Sequence, residues 1–250
     1  MPAPINVFLK TKSFLKSKEM QAIIWQTYKN DFGKYAKKEM HKYLRTVYEK
    51  TPNLIGQQFK YTKIDPEVQS KDLKKALTLL KWAGLLHSVH ATSAAGLPLK
   101  FHQNEHRFKI LFLDIGLIQQ VNQIDPEKIW SEDLTQLNAG MMAEQFVGQE
   151  LLAYGEHYEE RDLFFWDREK AGSEAEVDYV LVIGSNIFPI EVKAGTTGKM
   201  KSIRIFMEEK KSLFGIQISQ NPLSFQNGIL SVPFYLIKEI PRLVKEVLAK

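Results

Sequence analysis

The chain has no cysteine among its 250 residues. That excludes disulfides, thiolate metal sites and thiol nucleophiles, and leaves carboxylate, imidazole, carbonyl and water as donors for any metal. The same absence fits a reducing, cytoplasmic setting. No apolar run approaches the roughly 20 residues that a bilayer demands, and the N-terminus lacks the charged-then-apolar order of a secretory signal, so a soluble chain with no membrane partner is expected. A G-x-S-x-G nucleophile elbow is missing too. So is G-x-x-x-x-G-K-[ST]: the nearest approach, Gly195-Thr-Thr-Gly-Lys199, has the wrong spacing and is followed by Met200. No ATP site is expected in this chain. There is no internal repeat and no low-complexity tract.

What is present is an ordinary globular balance, 44% hydrophobic and 25% charged, long enough for two modest domains. The net charge of +5 hides an asymmetry. Residues 1 to 120 hold 20 Lys+Arg against 9 Asp+Glu, and residues 121 to 250 hold 14 against 20. A basic half attracts phosphate backbones and an acidic half gathers metal ions, although lysine-rich helices are more often simply solvated.

Periodicity predicts a helix over 17–35, with Met20, Ile23, Ile24, Thr27 and Tyr28 on its apolar side, and a second over 38–50 burying Met40, Tyr43, Leu44, Val47 and Tyr48. Asp65-Pro66 reads as an N-cap and first helical position, opening a helix to Ala83 with Leu73, Ala76, Leu77 and Leu80 inward, ended by Gly84. Leu85 to His90 and Phe108 to Asp114 read as strands of a wing. Residues 1–123 are thus expected to form a helical and winged-helix module. In it Lys71, Lys74, Lys75 and Lys81 of the recognition helix are available for phosphate contacts. Winged helices serve equally as packing modules, and no aromatic or arginine pattern here indicates base readout.

After a linker over 124–138, residues 139–250 read as an α/β domain: helix 140–154, strands 163–167, 176–183 and 187–193, helix 199–212, a strand over 228–237 and a helix over 241–249. Gly184-Ser185-Asn186 is a turn that folds two of these strands into a hairpin. An odd pairing offset would set Asp178 opposite Lys193 and Val180 opposite Glu191, with both acids and the lysine on one face. Buried charge is costly unless paired or metal-bound, so acids on such strands call for a partner. On the first helix Glu144 shares a stripe with Met141, Val147, Gly148 and Leu151, while Gln145, Gln149 and Glu150 fall away from it. The plainer reading of Glu144 is an ion-pair partner of Lys193.

These segments, Gly140-Met-Met-Ala-Glu-Gln-Phe-Val, Glu176-Val-Asp-Tyr-Val and Ile190-Glu-Val-Lys-Ala-Gly, resemble the PD-(D/E)xK nuclease superfamily and, more narrowly, the DUF4143 region of prokaryotic AAA-type ATPases. The likeness extends upstream through Met1-Pro2, Asp31-Phe-Gly-Lys-Tyr-Ala36 and Phe59-Lys-Tyr61. It implies a restriction-endonuclease-like α/β core, following an N-terminal P-loop ATPase domain that would be this chain's partner in a longer protein. It further implies Mg²⁺ or Mn²⁺ held by Asp178 and Glu191 with the Val192 carbonyl, Glu144 as a further ligand, and Lys193 positioning a water for phosphodiester hydrolysis. The expected function is therefore a nuclease-like module that binds or cleaves nucleic acid. The alternative is a non-catalytic regulatory or interaction module of the ATPase, whose mark would be an occluded site: Lys193 tied to Glu191 with no room for a metal or phosphate. His87, His90, His102 and His106 cluster around the expected wing as surface histidines, with zinc a lesser reading. Phe164, Phe165 and Trp166 are expected in the sheet core.

Overall fold

The computed structural model describes residues 1–122, 136–155, 161–168, 175–195 and 200–249. The fold is mixed α and β, as the alternation of helical and strand periods predicts. It divides into two units, Met1–His87 with Lys109–Asn138, and Ser88–Phe108 with Ala139–Lys250. Among the described residues no helix is long and apolar enough to cross a membrane.

In the first unit α1 (Pro2–Thr11) starts on a proline at its first position, where a missing N–H costs nothing. The next helix, α2 (Phe14–Asn30), is capped by Ser13, whose hydroxyl accepts the Lys16 N–H at 3.3 Å. Its covered side differs from the expected one: Ile23 is 58% exposed, whereas Trp25 stacks on Tyr48 with ring centroids 3.9 Å apart. The larger aromatic surface decides which way the helix faces. A short α3 (Phe32–Tyr35) leads to α4 (His41–Lys50), which buries Leu44, Val47 and Tyr48 as expected.

Another short helix, α5 (Tyr61–Ile64), precedes α6 (Ser70–Trp82), which buries Leu73, Ala76, Leu77 and Leu80. Its start is later than predicted. The Asp65 carboxylate accepts the Glu67 N–H at 3.1 Å, closing a local turn over the proline in place of a helix cap. The unit ends with α7 (Ile115–Val121), capped by Asp114, which accepts the Gly116 N–H at 2.7 Å and pairs with the amino group of Met1. Of the linker expected over 124–138, residues 124–135 lie outside the described residues and 136–138 already belong to the next helix.

The strands expected as a wing are longer than predicted, β1 (Leu86–Thr92) and β2 (Gln103–Phe112), and they form the edge of one eight-stranded sheet. The other strands are β3 (Leu163–Asp167), β4 (Glu176–Ile183), β5 (Asn186–Val192), β6 (Gly215–Ser219), β7 (Ser224–Gln226) and β8 (Ile229–Pro233), in the order β2-β1-β3-β4-β5-β6-β8-β7. Pairing is parallel for β1 with β3, β5 with β6 and β6 with β8, and antiparallel around β4 and for β7 with β8. The wing is absorbed because Val89, His90 and Ala91 pair with Leu163, Phe164 and Phe165, whose strand is buried throughout and needs a neighbour on that edge.

Along the chain these strands are interrupted or followed by α8 (Gln136–Ala153), α9 (Lys201–Lys210) and α10 (Ile240–Leu248). Phe164, Trp166, Val177, Val180 and Phe206 form one core cluster, with Trp166 meeting Phe206 edge-on at 5.2 Å. Strands β6 and β7 are additions to the predicted set. The strand predicted over 228–237 stops at Pro233, where the chain tightens into a 3₁₀ turn over Phe234–Glu239.

Candidate functional site

The hairpin of β4 and β5 closes through two residues, Gly184 and Ser185, with Gly184 at φ 63° as the first residue of such a loop requires. Asn186, expected in the turn, is already strand and pairs with Ile183. The ladder then runs to Tyr179 opposite Ile190. Asp178 therefore lies at the level of Glu191, two residues away from the predicted partnership with Lys193. The parity of the offset is the predicted one, and the tighter turn accounts for the shift.

On its other side β4 pairs Val180 with Phe164 and Val177 with Trp166. Two residues, Asp178 and Tyr179, thus stand against the single Phe165, which is a β-bulge. It interrupts strict alternation, so Val177 and Val180, three apart in sequence, pack into the same cluster. At this break the Asp178 carboxylate accepts the Val192 N–H at 2.7 Å, taking the place of a ladder carbonyl. The N–H and C=O of one strand residue point the same way, so the Val192 carbonyl lies on this same edge of β5.

One residue to either side of Val192 stand Glu191 and Lys193. The Lys193 ammonium donates to Glu191 Oε1 at 2.6 Å, with the two side chains 25% and 10% exposed. Lys193 also fixes its backbone by donating its N–H to the Ile218 carbonyl on β6 at 2.8 Å. The end of β5 therefore presents an acid, a carbonyl and a cation on three consecutive residues.

On α8 the buried positions are Gln145, Val147, Gly148 and Leu151, and Glu144 is half-buried. Val147, Gly148 and Leu151 are covered as predicted, but Met141 and Glu144 are only half-buried and Gln145 is fully buried, not turned away. The cause lies on β4: the Tyr179 hydroxyl donates to the Glu144 carbonyl at 2.8 Å and holds the helix there. Burial pushes the Tyr179 phenol well above its ordinary range, the charges of Glu144 and then Asp178 add to this, and a hydrogen bond with the Gly148 backbone opposes it. That hydroxyl thus feels both Glu144 and Asp178. Tyr179 is the residue beside the candidate site that sequence reasoning misses, and Gln145 is the buried amide that it misplaces. Their signals are a tyrosine directly after the acid in an otherwise aliphatic strand and an amide inside an apolar stripe.

Glu144, Asp178 and Glu191 do not close into a metal cage: among the described residues no three carboxylate or imidazole side chains gather closely enough. The chemistry of the donors nevertheless suits a hard divalent cation, since carboxylate and carbonyl oxygens are what Mg²⁺ and Mn²⁺ take. On Glu191 the Lys193 ammonium stands where such a cation would compete.

Of the four lysines expected to meet phosphate, Lys71, Lys74 and Lys75 are exposed on α6 and line a groove of about 400 Å³ with Met40, Thr78, Leu79 and Trp82. Lys81 is set beside His87, whose pKa is lowered by burial and then by this lysine. His102 and His106 line a separate cavity of about 380 Å³ with Asp167, itself ion-paired with Arg107. Phe164, Phe165 and Trp166 are buried core residues, as predicted. The near-miss of a phosphate loop at 195–199 falls largely outside the described residues.

Residues 139–237 match the family described as domain of unknown function DUF4143. Residues 1–128, just over half of the chain, match the domain of unknown function DUF8612. No curated protein matches the chain. Among solved structures, protein VC1899 from Vibrio cholerae is similar over 92% of this chain at 10% identity and a TM-score of 0.24, a likeness too slight to bear on the fold. The match spans 56% of that protein's length.

Proposed function

The chain belongs to the DUF8612 family and carries a DUF4143 domain, and from the residues gathered at the end of β5 we propose that this domain is a nuclease-type module that engages nucleic-acid phosphodiesters with the help of Mg²⁺ or Mn²⁺. The observation that carries the reading is the docking of the Asp178 carboxylate onto Val192, between Glu191 and Lys193. It brings an acid from one strand against an acid, a carbonyl and an ammonium from the next.

In this reading Asp178, Glu191 and the Val192 carbonyl would hold the cation, with Glu144 as a further or water-mediated ligand. When bound, such a cation lowers the pKa of a coordinated water and stabilises negative charge on phosphorus. Lys193, freed from Glu191 by the cation, would orient water against the phosphate, and Tyr179 keeps α8, and so the Glu144 backbone, against β4. By the family resemblance, the module would work beside a P-loop ATPase domain.

The deciding experiment incubates the purified chain with Mg²⁺ or Mn²⁺ and single-stranded and duplex DNA and RNA, alongside Asp178→Ala. Cation-dependent cleavage by the native chain and none by the variant is expected; equal cleavage by both proteins would overturn the catalytic reading.

A second reading draws on the 2.6 Å bridge between Lys193 and Glu191, which is one half of the occluded site that it requires. There the domain is a non-catalytic module whose acids and lysine neutralise one another and stabilise an assembly with the ATPase. Failure of Mn²⁺ to bind at Asp178 and Glu191 by calorimetry would favour it.

A further inference from the structure

The basic character of the chain is concentrated at its start: residues 1 to 87 hold 17 Lys+Arg against 7 Asp+Glu. Within that stretch one groove combines charge with an unusual aromatic. Trp82, the last residue of α6, is 80% exposed. A large apolar ring left in water at the end of an otherwise well-packed helix has no role in the core that α6 shares with α4.

The spacing of the groove residues explains their convergence. Lys71, Lys74, Lys75, Thr78 and Trp82 recur at helical spacing along α6, which stacks them on one face. Met40 and Leu79 supply an apolar floor beside the indole. No acidic residue is among the described residues that line the groove. A row of ammonium groups leading to an open indole is the pattern by which proteins hold unpaired strands, with phosphates tracked by charge and a base stacked on the ring.

We propose that this face of α6 is a binding site for single-stranded nucleic acid, in which Trp82 stacks one base and Lys71, Lys74 and Lys75 contact the flanking phosphates. A duplex does not satisfy it, because its bases are already stacked on each other and offer no free face to the indole. A protein partner would meet the apolar floor but would have to bring acids to three neighbouring lysines. The site uses residues of the first unit alone and does not depend on the carboxylates at the end of β5.

The test is fluorescence anisotropy of a fluorescein-labelled oligothymidylate and of a matching duplex with the full chain, in a metal chelator, so that nuclease activity plays no part. Three phosphate contacts give a slope of log affinity against log salt of roughly −2. Trp82→Ala weakens single-strand binding about 5- to 150-fold, the range expected for one stacked base, and Trp82→Phe retains most of it. The triple change Lys71→Gln, Lys74→Gln, Lys75→Gln flattens the salt dependence. All four positions are exposed, and circular dichroism confirms that each variant folds. Absence of single-strand binding, binding indifferent to Trp82→Ala, or an equal preference for duplex overturns the proposal. So does self-association of the chain that is lost in Trp82→Ala while the oligonucleotide is ignored.

Discussion

Asp178 accepts the backbone N–H of Val192 at 2.7 Å, so one carboxylate both completes the hydrogen bonding of β5 and supplies charge beside Glu191 and Lys193. These two duties separate by substitution. Asp178→Asn keeps an acceptor for the N–H and removes the charge, whereas Asp178→Ala leaves the N–H without its partner. Urea denaturation should show Asp178→Ala less stable by about 1–3 kcal/mol and Asp178→Asn closer to the native chain. On the proposed nuclease reading, neither variant should show cation-dependent cleavage.

Lys193 is ion-paired with Glu191 at 2.6 Å. Lys193→Met leaves a mostly buried carboxylate without that ammonium and should destabilise the chain by about 1–3 kcal/mol. Mn²⁺, no longer competing with an ammonium, should raise the melting temperature of this variant more than that of the native chain. A melting temperature indifferent to Mn²⁺ in both proteins would instead support the non-catalytic reading.

Tyr179 ties α8 to the sheet through its hydroxyl. Tyr179→Phe preserves the ring and deletes that bond, for an expected loss of about 1 kcal/mol in urea midpoint analysis. Amide exchange along α8 around Glu144 and Gly148 should quicken more than exchange in α9. Uniform acceleration in both helices would mean that the hydroxyl has no such local duty.

His87 is held neutral by burial and by Lys81, with its pKa below the ordinary 6.5. The unfolded chain then takes up the proton first as pH falls. Stability contributed by this residue is complete above about pH 6.5 and declines below it, until the folded form protonates as well. His87→Gln should therefore lose less of its urea midpoint than the native chain as pH falls from neutrality to about one unit below that value. An identical decline in the two proteins would show that His87 does not govern this window.

Gly215 opens β6 directly beneath α9. A Cβ added there would lie 2.6 Å from Ile203 Cδ1 and 2.8 Å from Ile203 Cγ1, on a side chain that is fully buried. Gly215→Ala should cost about 1–3 kcal/mol by overpacking, seen as a lowered melting temperature, and Ile203→Val in the same chain should recover part of it.

The hairpin is legible in the sequence because Val177 to Ile183 and Ile187 to Lys193 carry strand-forming residues around a glycine turn, and the parity of their offset follows from the pleat. The bulge at Asp178–Tyr179 is not. One extra residue against Phe165 changes neither composition nor length, and it becomes visible only when β3 is known to be the neighbour. For the same reason β1 and β2 can be recognised as strands, but not their union with β3 in one sheet: periodicity reports which face is buried, never against which partner. Gln145 misleads because a polar residue ordinarily faces water. On α6 the buried stripe follows from its period, whereas nothing in the residue type of Trp82 announces that its ring stands in solvent.

The parallel pairing of β1 with β3 sets a boundary on how the DUF4143 segment can be handled. Residues 139–237 carry β3 but not the strand that covers its edge, and Leu163, Phe164, Phe165 and Trp166 would then offer unpaired backbone along an aromatic-rich rim. Such a rim is a template for a second chain. A fragment trimmed to the family boundaries should therefore self-associate edge to edge, and the smallest monomeric form must begin upstream of Leu86.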